Sequence, residues 1–178
     1  MASKQILFLN FSKKAFQLFN CKKNGYNLSN LIRSFLGFTG RVLIVITHNH
    51  HKNEKNDDLK TFYIGMFLNS NIYECYEEPC GDDSCSFFTM APDLINFKTK
   101  QNKYNKKPSY VYLSSKNLTY AKKIPGIGFG ENLFGEYRVW LDSNDLFKKS
   151  YIKSEDENYE NGSPFDEEET QLNVTRLK

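Results

Sequence analysis

The chain has 178 residues, of which 39% are hydrophobic and 15% aromatic, and it carries a formal net charge of +3. That length supports one domain with a sizeable core, and that charge is too small to point to nucleic acid. No apolar run approaches the roughly 20 residues that cross a bilayer, and the apolar part of the N-terminal MASKQILFLNF is too short for a signal peptide and lacks a cleavage pattern, so a cytoplasmic protein with reduced cysteines is expected.

Residues 1–15 read as a lead-in, and residues 16–178 as a single domain. Phe16–Asn20 is expected as a short strand, and Cys21-Lys22-Lys23-Asn24-Gly25 as a turn, because Asn-Gly is a strong turn signal. Asn27 is placed to cap a helix from Leu28 to about Phe35, where Leu28, Leu31, Ile32 and Phe35 make one apolar face. Arg41–Thr47 is a continuous β-branched run and predicts a central strand covered on both faces. His48–Lys60 reads as a polar hairpin loop, Leu59–Leu68 as the next strand with Gly65 inside it, and Asn69–Cys80 as irregular. Ser84–Met90, Leu94–Lys98 and Ser109–Ser114 follow as strands, with a lysine-rich turn at 101–108.

The stretch from Ile124 to Asp142 organises the rest. Gly126, Gly128 and Gly130 recur at every second position, which leaves one strand face bare for close approach of a backbone or a large side chain. The spacing is G-x-G-x-G with no helix and no Lys-Ser/Thr behind it, so it does not fit a phosphate loop. From Glu136 to Asp142 the residues alternate. Tyr137, Val139 and Leu141 are expected on one face, and Glu136, Arg138, Trp140 and Asp142 on the other. Residues 154–170 are expected as a polar surface loop, and Leu172–Leu177 as a closing strand. Many short strands separated by turn signals predict an antiparallel sandwich. The fold class is α+β, mostly β: a two-sheet antiparallel β-sandwich flanked by a few short helices.

No constellation supports catalysis. His48, His50 and His51 form a cluster without a carboxylate or cysteine pattern of zinc spacing, and read as a hairpin tip that gains charge below neutral pH. Cys75, Cys80 and Cys85 are spaced five apart, and three thiols with a distant Cys21 make a weak zinc set. Glu77, Glu78, Asp82 and Asp83 around them disfavour a reactive thiolate. Ser84 and Ser86 have no local base. No metal, cofactor or catalytic residue is assigned. The charge is uneven, basic at Lys103, Lys106 and Lys107 and acidic at Glu155, Asp156 and Glu157. These six residues are the candidate partner contacts, on loops at separate places.

The order of motifs resembles the TLDc domain family, which includes the oxidation-resistance proteins. Gly25-Tyr26-Asn27-Leu28 is similar to the family's entry to its first helix. Val42–Ile46 followed by Tyr63-Ile64-Gly65-Met66-Phe67 resembles its hairpin. Gly81 through Phe87, Phe88 and Pro92 resembles its "GtgeSFLFxlxP". Gly126-Ile127-Gly128-Phe129-Gly130 followed by Tyr137-Arg138-Val139-Trp140-Leu141-Asp142 resembles its "lGfGg…ylwLD", the most specific piece. Lys149-Ser150 stands where the family usually has Gly-Ser, and Val174-Thr175-Arg176-Leu177 where it has Glu-Val-Trp. The resemblance implies a sandwich with helices at its side, which would cover Trp140. It implies a link to oxidative-stress resistance and, for several members, binding and regulation of the vacuolar-type proton-pumping ATPase, with no established active site. The expectation is therefore a non-enzymatic interaction protein, recruited through its partner to a membrane-bound or cytoskeletal complex without inserting in the membrane itself. The other two readings are a structural component of a ciliary or cytoskeletal assembly and an oxidant-consuming enzyme.

Overall fold

The 3.6-residue period and its cap hold. In a computed structural model the helix α2 spans Leu28–Phe35, and the Asn27 side chain accepts from Asn30 N at 3.2 Å. Leu28, Leu31, Ile32 and Phe35 all point into the core, as an apolar stripe at that spacing must. The structure describes residues 17–53, 56–69, 73, 75–82, 84–91, 93–100, 111–114, 125–131, 136–146, 148–165, 168–172 and 174–177. Residues 17–20 form no strand. Asn20 instead caps a one-turn helix, α1 (Cys21–Asn24), accepting from Lys22 N at 3.0 Å, and the expected turn is this helix ending at Gly25.

The strands are β1 (Val42–Asn53), β2 (Asn56–Leu68), β3 (Cys75–Cys80), β4 (Ser86–Ala91), β5 (Ile95–Phe97), β6 (Val111–Ser114), β7 (Gly126–Glu131), β8 (Tyr137–Asp142), β9 (Tyr151–Lys153), β10 (Glu169–Gln171) and β11 (Val174–Leu177). They form two sheets, in the orders β11-β1-β2-β4-β5 and β10-β9-β8-β7-β6-β3. All of the described pairings are antiparallel. One cluster of buried side chains draws on both sheets, with Ile44, Ile46, Ile64, Met66 and Phe87 from the first and Val111, Ile127, Phe129, Val139 and Leu141 from the second. This is the expected sandwich.

Three strand expectations are corrected. β1 does not bury both faces: Val42, Ile44, Ile46 and His48 are buried, while Leu43, Val45 and Thr47 between them are half-buried. The β1–β2 ladder also continues past His48, pairing His50 with Lys60 and Asn53 with Asn56, so the expected loop is mostly strand. Finally, Cys75–Cys80 is a strand rather than irregular. It pairs with β6 at the edge of its sheet, where Pro79 is tolerated because one side of an edge strand makes no ladder bonds.

The bare glycine face is filled from within the chain. A Cβ on Gly126 would stand 2.6 Å from the Trp140 ring and 2.5 Å from Leu141 O; one on Gly128 would stand 2.5 Å from the Tyr137 ring. We expect Gly128→Val to lose about 1–3 kcal/mol or more through overpacking. A thermal midpoint equal to the parent's would contradict this packing. Gly65 does the same service in the other sheet, where its missing Cβ makes room for the Phe88 ring at 2.5 Å.

Candidate functional site

The alternation expected along β8 breaks at one point, and the break builds the best-organised polar feature of the molecule. Gly130, near the end of the neighbouring β7, has φ 63°. This left-handed conformation favours glycine because it has no Cβ to clash. Beside it the strand faces change. Tyr137, expected on the core face, lies instead against Trp140, with ring centroids 5.3 Å apart. Arg138, expected on the outer face, turns inward and lies 4.8 Å over the Phe97 ring and 5.7 Å over that of Phe87. Val139 and Leu141 keep the core face as expected, and Trp140 the other.

Arg138 is fully buried, so its charge must be compensated inside the protein. Nη1 donates to Asp156 Oδ2 and to Glu160 O, each at 3.0 Å, and Nη2 donates to Gly162 O. The other Asp156 oxygen accepts from the backbone N–H groups of Asn158 and Tyr159. A Cβ at Gly130 would stand 2.7 Å from the Asp156 carboxyl carbon, so this glycine leaves room for the partner of Arg138. Burial pushes the Asp156 carboxyl above its usual range, against the pull of the Asn158 N–H and the Arg138 guanidinium. Burial likewise lowers Arg138, with Asp156 opposing.

Residues 154–165 therefore form a strap rather than the expected polar surface loop. Asp156, Asn158, Tyr159 and Phe165 are buried, while Glu155, Glu157 and Glu160 are exposed. Phe165 packs edge-on to the His48 ring, centroids 5.2 Å apart, and on Phe62 at 4.6 Å. Backbone bonds tie the strap to the end of β5: Lys100 N donates to Asn158 O at 2.7 Å, and Glu160 N to Lys98 O at 2.8 Å. Lys100 Nζ donates to Asp156 O and, at 2.7 Å, to Asn161 Oδ1. The strap thus closes one corner between the two sheets.

These contacts revise the candidate partner residues. Asp156 is buried and is removed from the contact surface. Glu155 and Glu157 face solvent, with Glu160 beside them. Lys103, Lys106 and Lys107 lie outside the described residues, as does Pro92. Thr99, four residues ahead of Lys103, bridges to Tyr159 of the acidic strap.

The motif residues have structural roles. Leu28, Phe87 and Leu141 are core, and Phe87 stacks on Phe97 at 4.6 Å. Gly25 and Gly81 adopt positive φ. Asp142 caps the turn after β8, accepting from Asn144 N and Asp145 N at 2.8 Å each, and Trp140 Nε1 donates to it at 3.3 Å. Ser150 receives the Asp142 N–H at 3.0 Å. Trp140 is covered, and among the described residues Tyr112 and Tyr137 pack against it.

His48 is buried, whereas the side chains of His50 and His51 lie outside the described set. Cys21 and Cys85 are buried. Among the described residues no group of three or more His, Cys, Asp or Glu is arranged to hold a metal, and no helix is long and apolar enough to cross a membrane. What the strap does chemically is hold a fixed, acid-faced corner; sequence reasoning missed its inner side.

The sequence model of the TLDc domain matches residues 2–177 of this chain. A comparison with curated proteins finds no match.

Proposed function

Because the chain belongs to the TLDc domain family, a family tied to protein–protein interaction in oxidative-stress resistance, we propose that it is a non-enzymatic module that binds and regulates the vacuolar-type proton-pumping ATPase. The observation that carries this reading is the family match over essentially the whole chain. The geometry supports it with a suitable surface. Glu155, Glu157 and Glu160 project from a strap whose other side is anchored on a buried ion pair. Charges held on a rigid base lose little freedom on binding.

The docking face is the corner where this acidic strap meets the segment leading to Lys103, Lys106 and Lys107. Charges on such a face steer encounter more than they hold the complex. Replacing Lys103, Lys106 and Lys107 with Glu should slow association with the pump by about tenfold or more at low salt, with a smaller change in dissociation. Surface plasmon resonance on the purified pump measures both rates. A pull-down from native membranes at low salt tests the reading itself. Recovery of pump subunits supports it. Ciliary or cytoskeletal proteins in their place, or no large complex at all, would overturn it, as would peroxide consumption by the purified metal-free protein.

A further inference from the structure

The first carboxylate side chain in this sequence is Glu54; before it stand eight cations, Lys4, Lys13, Lys14, Lys22, Lys23, Arg33, Arg41 and Lys52. The structure places Lys22, Lys23, Arg33 and Arg41 in or beside the two helices, whereas Lys52 lies near the far end of β1. Lys22 and Lys23 close α1, Arg33 lies in the last turn of α2, and Arg41 precedes β1. All four are exposed, and none makes an ion pair among the described residues. Helix macrodipoles explain cations in last turns. They also favour acids in first turns, yet neither helix has one there. The one-sided charge therefore exceeds what helix stability asks for.

Exposed apolar side chains stand among these cations. Leu18, Tyr26 and Phe38 are each about two-fifths exposed. Leu18 lines a shallow cleft of about 330 Å³ together with Phe19, Asn24, Asn30 and Arg33. Tyr26 and Phe38 flank α2 at its two ends, next to Gly25 and Gly37. An eight-residue helix is about 12 Å long, so the three side chains are spread out rather than joined in one patch. A preformed groove on a protein needs contiguous, shape-matched anchors. A fluid anionic bilayer does not, since separate rings and aliphatic tips can each settle at the headgroup level while cations meet lipid phosphates and carboxylates.

We propose that this helical region of the domain, comprising Leu18, Lys22, Lys23, Tyr26, Arg33 and Phe38, is a peripheral docking surface for anionic phospholipid membranes. It would set the domain against the bilayer without any membrane-crossing segment. The surface shares no residue with the acidic strap, so the proposal does not rest on the pump-binding reading.

The test is co-sedimentation of the whole chain with vesicles of phosphatidylcholine, with and without phosphatidylserine, in the absence of any protein partner. The parent is expected to sediment with the anionic vesicles only, and to be released by salt. The variant K22E/K23E/R33E should bind at least about tenfold more weakly. L18S/F38S should also bind more weakly at unchanged net charge. All five sites are exposed, and an unaltered thermal midpoint checks that each variant is folded. No sedimentation with anionic vesicles at low salt overturns the proposal, and so does binding indifferent to the charge reversal. Soluble polyglutamate that binds the parent as tightly as the vesicles do, and is rejected by K22E/K23E/R33E, would also overturn it by assigning the surface to an acidic protein.

Discussion

Replacing Arg138 with Met should cost about 3–5 kcal/mol, because it leaves the buried Asp156 carboxylate without its counter-ion. A domain of this kind has a total stability of about 5–15 kcal/mol, so the loss is a large part of the whole. The strap should loosen with it, since Nη1 and Nη2 also hold the carbonyls of Glu160 and Gly162. The double variant Arg138→Met/Asp156→Asn removes both charges and should recover much of the loss, because two neutral groups require no buried counter-charge. Denaturant unfolding of the two single variants and the double variant measures the coupling. Purely additive losses would show that the pair is not a unit.

The pH dependence of that loss has a definite sign. Burial already raises the Asp156 carboxyl in the parent, and removing Arg138 takes away one of the influences that lower it. A group whose folded-state pKa is raised contributes stability that is present at low pH and is lost as pH rises through the folded value. The deficit of Arg138→Met should therefore shrink as the pH falls from neutral towards the raised Asp156 value. A deficit that widens in mild acid contradicts the assignment.

Trp140→Ala should cost about 3–5 kcal/mol. The indole is 4% exposed although it lies on the face of β8 turned away from the shared core. Its ring fills the space over Gly126 and is boxed by Tyr112 and Tyr137. Because Trp140 is the single tryptophan of the chain, its fluorescence is an independent check. The folded parent should emit at short wavelength and resist quenching; red-shifted, readily quenched emission contradicts the packing.

How much of this was legible depended on whether a signal was local. The helix α2 was, because the Asn27 cap and four apolar residues lie within nine positions. The close approach at Gly126 and Gly128 was also legible, since alternate glycines bare one strand face whatever packs there. β3 was obscured by Glu77, Glu78 and Pro79, residues that an edge position tolerates and a central one does not. The orientation of Arg138 was hidden because it breaks the two-residue alternation of β8, from which the sequence pattern places it outside. The strap's inner side was hidden for a related reason. Asp156 and Asn158 look like surface residues until Arg138, 18 positions earlier, is placed inside. The sign of the charge told that the segment was acidic; it could not tell which acid had turned inward.

The pairing of β1 with β11 has a consequence for the timing of synthesis. His48 meets Val174, so the partners are 174 minus 48, or 126, residues apart. At elongation rates of roughly 5–20 residues per second, β1 waits about 6–25 seconds for that neighbour to be made. During the interval β2 can occupy one side of β1, while the other side, along Ile46–His48, stays open. An open edge on a strand that begins Val-Leu-Ile-Val-Ile invites pairing with other nascent chains. Slow codons placed between β2 and β11 should therefore lower the soluble yield of this domain even though the finished protein is unchanged.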